Sequence, residues 1–299
     1  MIQASNVVKL FDSHTALERV TLAIGSGCIY GLVGTNGSGK STLLRLIAGV
    51  YSPNEGGITL DGAPVFENPE AKKRIFFVSD DLYFQPQAAL GDMAEFYRAA
   101  YPGWSEERYA HLCEMFPIGT KRKLSTFSKG MRRQAALILA LSAQPDYLLL
   151  DEAFDGLDPV IRFAVRKIIA DMIAERNSTV IISSHNLREL EDFCDRIGLL
   201  HRGSLLLECA IDQIQIGFSK VQAVFQPMRG EADLGGIRVL SREQKGSVAT
   251  FVCQAGEQEA LAAVNALGPV LAEAVPLTLE EVFIYEMEAV GYDYSKVIF

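Results

Sequence analysis

The sequence predicts an α/β fold: a core on a mostly parallel sheet, an inserted helical segment, and a small α+β domain towards the C-terminal end. Three observations carry this expectation. Over the first two thirds of the chain, short apolar runs alternate with helical periodicity, the pattern of parallel strands joined by crossover helices. Four of those runs pass directly into polar residues, and in open parallel sheets ligands bind beyond the carboxyl ends of the strands. Beyond Asp212 the texture changes to strand-like runs with one helix and a capping box. The expected domains are therefore 1–212 and 213–299, with the helical segment at about 85–143.

The four runs are Cys28 to Val33, Arg74 to Val78, Tyr147 to Leu150 and Thr179 to Ile182. Each is short and rich in Ile, Leu, Val or Phe, as buried parallel strands are. A helical pattern, Ser41 to Ala48, ends at Gly49. Between the second and third runs, Leu90 to Ala143 reads as mostly helical. Pro102-Gly103 breaks it, and Ser105 followed by Glu106 and Glu107 marks a fresh helix start. In the tail, Val221 to Phe225, Ile237 to Leu240, Val248 to Cys253 and Ala272 to Pro276 read as strands, and Gln258 to Leu267 as a helix. Thr278-Leu279-Glu280-Glu281 forms a capping box, with Leu277 and Val282 as its hydrophobic staple.

Composition narrows the function classes. Apolar residues make up 49% of the 299 and charged residues 22%, as in ordinary globular proteins. With 28 basic and 37 acidic residues the net charge is −9, which disfavours a binder of nucleic-acid phosphates. The longest apolar run, Ala135 to Leu141, falls far short of the ~20 residues that span a bilayer. Met1 to Leu10 lacks the apolar core and small-residue cleavage site of a secretory signal. The 5 cysteines are scattered, with no Cys-x-x-Cys pair, and are expected to be reduced thiols.

The first run leads into Gly34-Thr35-Asn36-Gly37-Ser38-Gly39-Lys40-Ser41, a full match to G-x-x-x-x-G-K-[ST] between a strand and a helix. Such a loop turns successive N–H groups towards one anion, and the helix N-terminus adds positive potential. Lys40, expected to be exposed, would contact the β- and γ-phosphates, and the Ser41 hydroxyl would bind Mg²⁺; Thr42 completes the nucleotide-binding set. This makes the core a P-loop NTPase. Asp151-Glu152 ends the third run. An Asp here holds Mg²⁺ through water and an adjacent Glu polarises the attacking water. A third constellation, Phe127-Ser128-Lys129-Gly130-Met131-Arg132-Arg133-Gln134, precedes a buried-looking helix, with Ser128 as a good N-cap.

Phosphate loop, Ser-Lys-Gly-Met signature, Asp-Glu strand end, Gly156-Leu157-Asp158 and Ser184-His185 occur in the order found in ATP-binding cassette (ABC) ATPases, which residues 1 to 210 resemble. The whole also resembles single-cassette subunits of bacterial exporters of the antibiotic-resistance and cell-envelope types, including the tail Pro276 to Phe283. The resemblance implies ATP and Mg²⁺ as cofactors, with Glu152 as general base and His185 bonded to the γ-phosphate. It places Phe11 where a ring stacks on adenine, with core packing as the alternative. Ser128 and Gly130 would contact the nucleotide of an opposite cassette, and Asp158 would connect the two sites or simply cap its helix. Asp80 stands where the family has Gln and is expected near the metal with Ser41 and Asp151; Gln85 and Gln87 lie too far into the loop to substitute. Lys129, Met131 and Ala153-Phe154 also depart from the family pattern.

The implied function is an ATPase subunit powering a membrane permease in another chain, as an exporter, paired with a second cassette and attached to the inner face of the cell membrane through that permease. No nucleic-acid partner is expected. The alternatives are a soluble cassette ATPase for an assembly or nucleic-acid task, and a non-hydrolysing regulatory cassette.

Overall fold

The computed structural model describes residues 1–116, 118–226 and 234–289. The chain divides into two compact units, Met1–Glu208 and Cys209–Phe299, with the boundary falling inside the strand Ser204–Ala210.

In chain order the first unit runs β1 (Ile2–Phe11), β2 (His14–Ile24), β3 (Ile29–Val33), α1 (Lys40–Ile47), β4 (Glu55–Leu60), β5 (Ala63–Pro64), α2 (Pro69–Lys72), β6 (Ile75–Val78), α3 (Leu90–Ala100), α4 (Glu106–Met115), α5 (Lys129–Ala143), β7 (Tyr147–Asp151), α6 (Pro159–Arg176), β8 (Thr179–Ser184), α7 (Leu187–Glu191), β9 (Arg196–His201) and β10 (Ser204–Ala210). A six-stranded sheet has the order β10-β9-β3-β8-β7-β6, and its β9-β3, β3-β8, β8-β7 and β7-β6 pairs are parallel. All four apolar runs read from the sequence lie in it. β3, β7 and β8 are buried along their whole length, the reason they read as unbroken apolar stretches. Arg202 and Gly203, both at positive φ, turn β9 into β10.

A second sheet, β2-β1-β4-β5, is antiparallel throughout. Helix α1 lies between the two sheets' side chains: its Leu43, Leu44, Leu46 and Ile47 join Val20, Leu22, Leu32 and Leu149 in one core. Each such side chain contributes about 1.5–3 kcal/mol on burial. The helical segment folds as expected, with Ser105 capping α4 through Arg108 N and Ser128 capping α5 through Met131 N.

The second unit comprises α8 (Ile211–Gly217), β11 (Ser219–Val224), β12 (Arg238–Lys245), β13 (Val248–Gln254), α9 (Glu257–Ala266), β14 (Leu271–Val275) and α10 (Leu279–Ala289). Its antiparallel sheet has the order β12-β13-β11-β14. Val221, Ala223 and Phe251 on one face pack against Ala260 and Val264 of α9. Thr278 and Glu281 make the expected reciprocal capping-box bonds: Thr278 Oγ1 accepts from Glu281 N at 3.2 Å, and Glu281 Oε2 from Thr278 N at 3.0 Å. Among the described residues, no helix is long and apolar enough to cross a membrane.

Candidate nucleotide-binding and hydrolytic site

The carboxyl ends of β3, β7 and β8 meet at one edge of the parallel sheet. A cleft of about 290 Å³ opens there, lined by Phe11, His14, Ala16, Asn36 to Thr42, Asp80 and Glu152. The loop after β3 forms its floor. At Gly34 any side chain is excluded, because a Cβ would lie 2.3 Å from the Leu200 carbonyl and 2.4 Å from Ser38 Oγ. α1 starts at Lys40, so its unpaired N-terminal N–H groups and dipole face the cleft, the arrangement that binds phosphate.

Lys40 is not the exposed residue expected from the sequence. It is only 5% exposed. Its Nζ donates to the Gly34 carbonyl at 2.7 Å and lies 3.4 Å from Glu152 Oε1. A buried ammonium requires such partners. The loop folds back over the side chain, which no sequence pattern reveals.

Ser41 and Asp151 come together as expected: Ser41 Oγ donates to Asp151 Oδ1 at 3.0 Å. Ser183 Oγ donates to the same oxygen at 2.7 Å. Asp151 is fully buried, and its Oδ2 has no hydrogen-bond partner among the described residues. A hydroxyl beside an orphaned buried carboxylate oxygen fits a hard divalent cation such as Mg²⁺. Asp80, the third residue expected at the metal, reaches the cleft, but its Oδ1 is bound by Arg133 Nη2.

Glu152 follows β7 at φ 48°, in the left-handed region that a side chain rarely adopts. Ser183 holds it there: the Glu152 N–H donates to the Ser183 carbonyl at 3.2 Å and to Ser183 Oγ at 3.1 Å. The turn aims the carboxylate into the cleft, where Oε2 lies 2.9 Å from His185 Nδ1. Phe11 is 38% exposed at the rim, with Tyr51 edge-on at 5.4 Å and Lys9 Nζ 5.1 Å from its ring centre. Gly34 and Thr35 turn their carbonyls to Lys40.

Ser128, Gly130 and Asp158 do not line this cleft. Ser128 and Gly130 sit at the start of α5. Asp158 caps α6, its Oδ1 accepting from Val160 N and Ile161 N at 3.0 Å each. Sequence reading gave no role to Ser183 or Arg133. Ser183 was marked only by ending an apolar run, and Arg133 only by standing at the head of the apolar helix.

The chain is similar across nearly its whole length to a curated relative, the ABC transporter ATP-binding protein YtrB of Bacillus subtilis (strain 168): 31% identity over 95% of this chain and 97% of that protein. It belongs to the ABC transporter ATP-binding proteins. The ABC transporter family model matches residues 17–155 of this ABC ATPase. The subunit is also 31% identical to the linearmycin resistance ATP-binding protein LnrL of the same organism, over 69% of this chain and 68% of LnrL. It is 35% identical to the Fe(3+) ions import ATP-binding protein FbpC 1 of Rhodococcus jostii (strain RHA1), over 68% of this chain and 60% of that protein. A solved structure of the ATP-binding subunit of an ABC transporter superposes with a TM-score of 0.66 at 26% identity, covering 72% of this ABC subunit and 92% of the other. The expected α/β fold and ATPase activity thus stand on the family as well as on the cleft.

Proposed function

We propose that this chain is the Mg²⁺-dependent ATP-hydrolysing subunit of a membrane exporter, paired with a second cassette and attached to the inner face of the cell membrane through a permease in another chain. The observation that carries the chemistry is the convergence of Lys40, Ser41, Asp151 and Glu152 on one cleft. Backbone N–H groups of residues 36–41 and Lys40 bind the phosphates, and Phe11 takes the adenine ring. Ser41 and Asp151 hold Mg²⁺, which offsets the charge of the β- and γ-phosphates when bound. Glu152 accepts a proton from water as its oxygen bonds to the γ-phosphorus; the β–γ bridging P–O bond breaks and ADP leaves. His185 hydrogen-bonds the γ-phosphate. Ser128 and Gly130 serve the partner cassette's nucleotide, and Asp158, at the cap of α6, connects the two sites across the dimer.

Export is favoured by kinship with a resistance subunit and by the tail Pro276 to Phe283. The unit from Cys209 onward serves dimer contacts or coupling, with ATP binding confined to the first unit. The test is reconstitution with the permease that copurifies with this chain. ATP-driven accumulation of a permease substrate in inside-out vesicles is expected. ATP-driven loss from such vesicles would reverse the direction, and failure to join the membrane fraction with that permease would favour a soluble cassette ATPase.

A further inference from the structure

Two adjacent arginines, Arg132 and Arg133, lie in the first turns of α5, just beyond Ser128 and Gly130, and the function proposed above gives them no task. Both reach out of the helix to loops distant in sequence. Arg132 Nη2 donates to the Leu82 carbonyl at 2.6 Å, and its guanidinium lies 5.8 Å from the Phe84 ring centre. Arg133 is 2% exposed. Its Nη2 binds Asp80 Oδ1 and its Nη1 the Asp155 carbonyl, with Asp155 Oδ2 at 3.9 Å. Consecutive side chains thus fasten the loop after β6 at two points, and Arg133 also fastens the loop after β7.

That second loop is the turn carrying Glu152. Asp155 N donates to the Glu152 carbonyl at 3.2 Å, closing the turn. A carboxylate oxygen of Asp155 lies within 4.8 Å of side-chain atoms of both Glu152 and His185. The guanidinium is a planar fork that can satisfy two acceptors in different directions at once. Buried as it is, it needs a counter-charge, and a carboxylate at position 80 supplies one where a neutral amide would not.

We infer that Arg133, paired with Asp80, is a positioning residue for hydrolysis: its fork fixes the Glu152 turn and the loop after β6 relative to the start of α5. This rests on the reading of Glu152 as the general base. It gives Asp80 a structural counter-ion role in place of a metal-binding one.

The test is steady-state ATPase kinetics on the full chain, with metal-free ATP binding measured beside them, for Arg133→Met, Arg133→Lys, Asp80→Asn and the Asp80→Asn/Arg133→Met double variant. A base displaced by about 1 Å costs on the order of a hundredfold in rate. Arg133→Met should lower kcat by ~10- to 100-fold and Asp80→Asn by about tenfold, both leaving KM and metal-free ATP affinity within about twofold. Arg133→Lys should not restore the rate, since one ammonium cannot replace the fork. The double variant should be no slower than Arg133→Met, as expected for two halves of one contact. Asp81→Asn, on the neighbouring exposed carboxylate, should match wild type.

Wild-type kcat in both Arg133→Met and Asp80→Asn would overturn the inference, as would losses that multiply in the double variant. A raised Mg²⁺ requirement in Asp80→Asn but not in Arg133→Met would return Asp80 to the metal and also overturn it. Should Arg133→Met fail to fold, Asp80→Asn, at a half-exposed side chain, decides alone. Full activity in Glu152→Gln would sink the general-base reading itself, an outcome distinct from any of these.

Discussion

Replacing Glu152 by Gln separates binding from chemistry at this site. The amide keeps the length of the side chain and its hydrogen-bonding contact with His185 Nδ1, now 2.9 Å from Oε2. It leaves untouched the Ser183 bonds that hold the backbone at φ 48°. Only the capacity to accept the water's proton is lost. Removal of a general base lowers rates by ~10²–10⁴, equivalent to ~2.7–5.4 kcal/mol of transition-state stabilisation. Affinity for ATP should move the other way or stay constant. Glu152 Oε1 lies 3.4 Å from Lys40 Nζ, so its carboxylate competes with the γ-phosphate for that ammonium and repels the triphosphate as well. Without the charge, Lys40 is released to the nucleotide. Phosphate release at saturating Mg-ATP measures the first effect and calorimetry the second; size-exclusion chromatography in Mg-ATP should show an ATP-held dimer. A kcat within ~10-fold of wild type, or ATP affinity falling together with kcat, would refute the assignment of the base.

Three further outcomes follow from the same geometry. Lys40→Ala should weaken ATP binding by ~10- to 150-fold, the worth of a charge-assisted bond of about 1.5–3 kcal/mol, and unchanged affinity by calorimetry would remove Lys40 from the phosphate site. Gly34→Ala should abolish most nucleotide binding, because the new Cβ would sit 2.3 Å from the Leu200 carbonyl and push the loop off the sheet edge; wild-type binding would show that the loop has room to spare. In the second unit, burial raises the Glu281 pKa, but hydrogen bonds from Lys220 and Thr278 outweigh it and hold the carboxyl below its ordinary value. The carboxylate therefore stabilises the unit above the unfolded value of ~4.3 and loses that contribution as pH falls below it; amide protection factors over 219–226 and 234–284 in the full chain, taken relative to intrinsic exchange rates at each pH, should fall in acid, and Glu281→Gln should flatten that fall.

Four of the parallel strands, β3, β6, β7 and β8, were legible because burial makes them continuous apolar runs, and the caps Ser105, Ser128 and Asp158 because capping chemistry is local. β1 was hidden because it is irregular: its pairing with β2 shifts register between Ala4 and Val7, around Asn6 at φ 47°, so its alternation never repeats. β9 was hidden by Gly198, which reads as a strand breaker. The structure needs it there, since a Cβ would lie 2.2 Å from Tyr30 Oη on the neighbouring strand. In the site, the phosphate loop and the Asp-Glu pair were legible because their spacing along the chain is the chemistry. The burial of Lys40 and the partners of Arg133 were not, because those contacts join loops that only the tertiary fold brings together.

The order of strands in the parallel sheet governs when this protein can fold during its own synthesis. β3 ends at Val33, yet both its neighbours, β8 and β9, come from Thr179–Ser184 and Arg196–His201. A ribosome adding ~5–20 residues per second needs roughly 7 to 30 s to travel from the first to the second of these strands. Through that interval the antiparallel hairpin of β1 and β2, whose partners are adjacent, can form, while the phosphate loop hangs from an unpaired apolar strand. Long-range parallel pairing is slow and leaves strand edges open to aggregation. The nascent chain is thus most vulnerable between those two points, and ribosome pausing or chaperone binding upstream of β8 would affect yield more than the same event after β10.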